Sequence, residues 1–158
     1  GRFVIGNAGV LVTRIVRIKQ GMNRRFVIID AAMNDLLRPA LYDAHHHILS
    51  VIEPAGDAVL KDVDVVGPVC ETGDTFAEAR PLAPLETGDL LAICSAGAYG
   101  AVMASDYNTR PPAAEILVAG GDYAVIRPRL DVKEIIARDR SPSWLSASGG
   151  SGKGPVKR

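Results

Sequence analysis

Along most of this chain, apolar and polar residues alternate with a period of two. The runs are short and are punctuated by Gly, Pro, Asn and Asp, a pattern that predicts an antiparallel sheet. Strands are expected near residues 3–5, 10–19, 25–31, 46–52, 63–70, 75–80, 90–97, 99–105, 115–118 and 122–127. The longest run, Val10-Leu11-Val12-Thr13-Arg14-Ile15-Val16-Arg17-Ile18-Lys19, starts apolar and then alternates, as a strand leaving a core for a solvated edge would. Gln20-Gly21-Met22-Asn23 supplies a turn before Phe26-Val27-Ile28-Ile29-Asp30, so these two runs should form a hairpin.

Helical periodicity is sparse. Asn34 can cap a short helix over Asp35-Leu36-Leu37, with Pro39 limiting its length and Leu41-Tyr42-Asp43-Ala44 reading as a further turn. Residues 131–139 predict a firmer helix, with Asp131 as cap, apolar residues at 132, 135 and 136, and Arg138 near the C-terminal end. The expected division is one β-rich domain over residues 1–145 and a Ser/Gly/Lys-rich disordered tail over 146–158.

A length of 158 residues with 47% hydrophobic content suits one domain with its own core. Eighteen basic residues balance eighteen acidic ones, so no global field would hold nucleic acid or an anionic membrane. The least charged stretch, Leu90 to Ser105, is too short and too rich in Gly, Ala and Ser for a bilayer span, so no membrane association is expected. Two cysteines without zinc spacing fit a reducing compartment, and the expected location is the cytoplasm.

Several motifs with catalytic associations fall away on their chemistry. Gly149-Gly150-Ser151-Gly152-Lys153-Gly154 departs from a phosphate loop, with Ala147 at the first glycine position and Gly154 where Ser or Thr would bind magnesium. On a strand, only His45 and His47 of the triplet His45-His46-His47 share a face, and no Cys or carboxylate at ligand spacing completes a metal site, so none is expected.

Other residues retain two readings each. Cys70 and Glu71, beside Gly73-Asp74 at the end of an apolar run, are either an acid/base pair at a strand end or a small buried hydrophobe with a solvated neighbour. Arg38 and Tyr42, four positions apart, could present a guanidinium and a phenol to one carboxylate; equally, the arginine could cap helix carbonyls and the tyrosine be half buried. Ser95-Ala96-Gly97-Ala98-Tyr99-Gly100 allows close backbone approach to a ligand with Tyr99 as donor, or a bulge beneath a packed ring.

Four separated segments together resemble the bacterial diaminopimelate decarboxylase family. They are Asn7-Ala8-Gly9-Val10-Leu11, the run from Asp30 through Asn34-Asp35-Leu36-Leu37-Arg38-Pro39-Ala40-Leu41-Tyr42, Cys70-Glu71-Thr72-Gly73-Asp74, and Gly97-Ala98-Tyr99-Gly100. The resemblance covers about residues 1–140 and only the C-terminal part of that family's enzymes. Gly1-Arg2 resembles the end of the family's Glu-Pro-Gly-Arg motif, which places the expected start of this chain where the family's (β/α)8 barrel finishes.

The resemblance implies a mainly β fold of the alanine racemase C-terminal type, an antiparallel β-barrel or sandwich with a few short helices and without the (β/α)8 barrel. It also implies a pyridoxal 5'-phosphate-dependent reaction taking meso-2,6-diaminopimelate to L-lysine and CO2. By the same resemblance Cys70 is the proton donor, Arg2, Arg38, Tyr42, Glu71 and Tyr99 bind substrate, and Gly1, Arg2 and Tyr99 contact the cofactor. Thr72 departs from the serine common at its position, keeping the hydroxyl and adding a methyl. The family's shared active sites imply a second subunit of a homodimer as partner. No lysine here lies in a segment resembling the family's cofactor-binding lysine, so the chain alone is expected to be inactive. The competing expectations are an ornithine- or arginine-type decarboxylase domain and a non-catalytic β-domain that serves assembly.

Overall fold

The computed structural model describes residues 1–146. The expected tail from Ser146 and the Gly149–Gly154 stretch lie outside the described residues, apart from Ser146 itself, which closes a short helix. Among the described residues there are eight strands: β1 (Leu11–Gln20), β2 (Arg25–Ile29), β3 (Ile48–Ser50), β4 (Lys61–Val66), β5 (Thr75–Leu82), β6 (Leu90–Ile93), β7 (Glu115–Ala119) and β8 (Asp122–Arg127). Four short α-helices accompany them among the described residues: α1 (Arg2–Ile5), α2 (Arg38–Tyr42), α3 (Val132–Ile136) and α4 (Ser143–Ser146).

Six strands form one sheet in the order β3-β6-β1-β2-β4-β5, and β7-β8 is a separate hairpin. The mainly β architecture is as expected, but the sheet is mixed: β2 and β4 run parallel, joined through the excursion that carries α2 and β3. The β1/β2 hairpin forms as the alternation predicts, closed by Gly21 N–H to Arg24 O at 2.8 Å. An extra residue in β1 between Ile15 and Arg17 shifts the register there. Thr13 and Ile15 point inward before this bulge and Ile18 after it, so the strand bends and serves both β6 and β2.

Ile15, Val27, Ile29, Ile48, Val63, Val65, Phe76, Leu82, Leu91 and Ile93 form one continuous core drawn from all six strands. A flat sheet could not bring residues of both edge strands into the same core; this sheet curls until its edges approach. Arg80 of β5 bridges the seam, donating to His46 O at 3.1 Å just before β3. A second bulge in β5 turns on buried Asp64. Its carboxylate accepts from Ala79 N–H at 2.8 Å and pairs with Arg24 at 3.1 Å, holding Ala79 at φ 45°.

Four expected elements differ. Residues 3–5 are helical, since the segment docks on the 95–100 turn and finds no strand partner. Residues 99–105 form no strand; Tyr99 sits at φ 58° and a 3-10 turn over Ala101–Met103 follows, with Met103 N–H bonding Gly100 O. Asp35 nucleates no helix; its carboxylate accepts the backbone N–H of Ala32 and Ala113, each at 3.0 Å, so the helix starts at Arg38 with Pro39 in its first turn. β4 ends at Val66, so Cys70 lies in a loop beyond the strand. The helix expected at 131–139 is present as α3, with Asp131 and Glu134 forming a reciprocal capping box.

Candidate active site

Arg2, Arg38, Tyr42, Ala44 and Tyr99 line one open pocket of about 480 Å3. These residues come from three separate stretches of chain, and particular contacts bring each stretch in. The first stretch is held by close backbone approach: Gly97 N–H donates to Gly6 O at 3.0 Å and Ala96 N–H to Gly9 O at 2.9 Å. A Cβ on Gly9 would meet Gly97 Cα at 2.7 Å, and one on Gly97 would fall on Ile5 O, so two glycines back to back are what let α1 and the Tyr99 turn meet. Ser95 adds a hydroxyl bond to Asn7 Oδ1 at 2.9 Å.

The turn itself is strained. Ser95 at φ 59° and Tyr99 at φ 58° are non-glycine residues in the left-handed region, at roughly 1–2 kcal/mol each. Such strain clusters at ligand sites. Here it places a half-exposed phenol on the lining of the pocket that Arg2 also lines.

Arg38 and Tyr42 sit on α2, one turn apart. The segment leading into α2 is a polar hub. Thr13 Oγ1 donates to Asp30 Oδ1 at 2.6 Å and accepts from Ala31 N–H, while Asn34 is held by Ser105 O and Arg110. Much of the Asp30–Tyr42 motif therefore positions α2 and does not face the pocket. Arg38 does not cap its own helix; its Nη1 lies 3.2 Å from Nε2 of His46, a fully buried histidine whose Nδ1 lies 2.8 Å from Cys94 O. His46 is the residue that sequence reading passed over: it is the histidine off the face shared by His45 and His47, whose rings meet edge to face at 5.1 Å.

Cys70 and Glu71 do not join this pocket. They occupy the tip of the β4–β5 loop, both exposed, which excludes the reading of Cys70 as a buried hydrophobe. The loop is held by Asp74, which is buried and accepts from Met33 N–H at 2.7 Å and Val69 N–H at 2.8 Å. Burial pushes the Asp74 carboxyl above the usual carboxylate range against the pull of those two bonds. Gly1 precedes α1 at its N-cap and lines no part of the pocket.

Residues 2–97 match the model of the pyridoxal-dependent decarboxylases, C-terminal sheet domain. The chain belongs to this family. It is 51% identical over 145 residues to the diaminopimelate decarboxylase of Zymomonas mobilis, covering 92% of this chain and 34% of that protein. With the diaminopimelate decarboxylase of Neisseria meningitidis serogroup A it shares 53% identity over 139 residues, 88% of this chain and 34% of the relative. Among solved structures, the diaminopimelate decarboxylase of M. jannaschii in co-complex with L-lysine superposes with a TM-score of 0.86 at 37% identity, over 92% of this chain and 33% of that one. The chain thus spans about a third of the length of the relatives it matches.

The pocket suits part of a pyridoxal phosphate site. Arg2 and Tyr99 offer a cation and a phenolic donor, the groups that hold a phosphate ester. No lysine lines the pocket among the described residues, so these residues would hold the cofactor's anionic end and not its carbonyl. Among the described residues no helix is long and apolar enough to cross a membrane.

Proposed function

We propose that this chain is the C-terminal part of a decarboxylase that converts meso-2,6-diaminopimelate to L-lysine and CO2, and that it contributes to two active sites of a homodimer. The observation that carries the reading is the convergence of Arg2, Arg38, Tyr42 and Tyr99 on one pocket while Cys70 and Glu71 stand apart on an exposed loop. Two half-sites on one chain are what a shared interface requires.

Bound pyridoxal phosphate would supply the electron sink for loss of CO2. Arg38 and Tyr42 would hold the carboxylate that is not lost, through a forked ion pair and a neutral donor. Glu71 of one subunit would pair with the distal ammonium in its partner's pocket. Cys70 would pass its Sγ proton to the carbon that has lost its carboxylate, and solvent would then reprotonate the thiolate. Substrates without a second carboxylate need no such clamp, which sets this reading apart from an ornithine- or arginine-type activity.

The test is Cys70→Ala in the full-length enzyme carrying this chain. Turnover should fall by about two orders of magnitude or more, with the dimer intact by sedimentation. Unchanged turnover would leave a β-domain serving assembly only. The chain alone should form no lysine from diaminopimelate, and lysine released by the purified 158-residue chain would overturn that part of the proposal.

A further inference from the structure

We infer that His46 is a positioning residue for Arg38: it fixes which edge of the guanidinium the pocket presents, and so sets the selectivity for a carboxylate. The inference rests on the reading of Arg38 as the carboxylate partner.

Both ring nitrogens of His46 are engaged, Nδ1 at 2.8 Å from Cys94 O and Nε2 at 3.2 Å from Arg38 Nη1. A guanidinium only donates, so Nε2 must accept, and the single proton of the neutral ring must sit on Nδ1, where it donates to the Cys94 carbonyl. One tautomer satisfies both contacts. An imidazolium would satisfy neither the charge nor the donor count, since it would aim an N–H at a cation. Burial first, then the charges of Arg38 and His45, push the ring's pKa below the usual value, while the Cys94 bond works the other way.

The ring cannot turn away to release Arg38. It is 1% exposed, and its backbone is fixed by Arg80 from β5, which donates to His46 O at 3.1 Å. Cys94 in turn donates its N–H to His47 O at 2.8 Å, so the acceptor of Nδ1 belongs to the same β3–β6 ladder. With Nη1 held from behind, Nε and Nη2 take no hydrogen bond among the described residues. That edge is the one that accepts a carboxylate side-on through two parallel N–H bonds. Without the histidine, Arg38 would keep its charge but have to be ordered by each substrate molecule as it binds.

The experiment compares His46→Phe, which keeps ring volume and removes the acceptor, with His46→Gln, whose amide oxygen reaches the Nε2 position. Both are made in the full-length decarboxylase carrying this chain, with Arg38→Lys alongside. His46→Phe should raise KM for meso-diaminopimelate roughly tenfold with kcat within about twofold, and His46→Gln should recover most of the loss. If Arg38→Lys leaves KM unchanged, the carboxylate reading fails. If Arg38→Lys raises KM but His46→Phe does not, or both His46 variants lose stability and kcat alike, the positioning role fails. Ring nitrogen NMR of the unsubstituted protein adds a check independent of any variant: a proton on Nδ1 is expected, and a proton on Nε2 would overturn the assignment.

Discussion

Replacing Gly67 by alanine probes how the Cys70–Glu71 loop is held. Gly67 does not occupy the left-handed region, so alanine meets no backbone penalty, but its Cβ would fall inside van der Waals contact of the Asp74 carboxylate. The carboxylate must then swing off the N–H groups of Met33 and Val69, at 2.7 and 2.8 Å. Each hydrogen bond to a charged acceptor is worth about 1.5–3 kcal/mol, and burial of the charge, which raises the Asp74 pKa, offsets part of that sum. A net loss of about 2 kcal/mol is expected, and Asp74→Ala should cost a similar amount, about 2 kcal/mol. The two are not independent. Once the Asp74 carboxylate is gone, the three nearest contacts of the added methyl go with it, so Gly67→Ala in the Asp74→Ala background should cost under about 0.5 kcal/mol, a coupling of about 1.5 kcal/mol. Urea midpoints at constant m give the four corners of the cycle, and amide exchange at Met33 and Val69 should speed up in each variant. Costs that simply add, with exchange at those amides unchanged, would refute the account.

Two further outcomes are expected. Ala79→Gly in the β5 bulge should stabilise the protein by about 0.5 kcal/mol, since relief of φ 45° exceeds the added flexibility of the unfolded chain; a thermal melt showing loss of more than about 1 kcal/mol would contradict this. His46, whose pKa lies below the usual 6.5, binds its proton less readily in the native state than in the unfolded chain. Its contribution is therefore complete above about pH 6.5 and is lost as pH falls through the native pKa. His45, beside Arg80, is shifted the same way, so His46→Gln should flatten the acid side of the stability profile without abolishing its slope.

What the sequence could reveal was local. The β1/β2 hairpin and the capped α3 follow from alternation and from Asp131 with Glu134, because the deciding contacts lie within a few residues. Phe3-Val4-Ile5 reads as a strand on propensity, yet its conformation is set by backbone contact with residues 96 and 97, far along the chain. Asp35 and Asn34 read as helix starters and instead bond to Ala113, Ser105 and Arg110, which no local window contains. Motif order singled out Arg2, Arg38, Tyr42 and Tyr99, which line one pocket, but it did not reveal that Cys70 and Glu71 stand apart from them. The role of His46 was not, because its meaning comes from Cys94 O, forty-eight positions away, and from an arginine on another element. The parallel join of β2 and β4 was equally hidden, since alternation fixes the face of a strand and not its direction.

Arg80 closes the seam of the curled sheet on the same backbone that carries His46. A substitution on β5, on a strand that lends no residue to the pocket, would loosen the ring behind Arg38 before it touched any ligand. Screens for altered substrate preference should therefore return variants from this edge strand, and their phenotype would be kinetic even though the lesion is architectural.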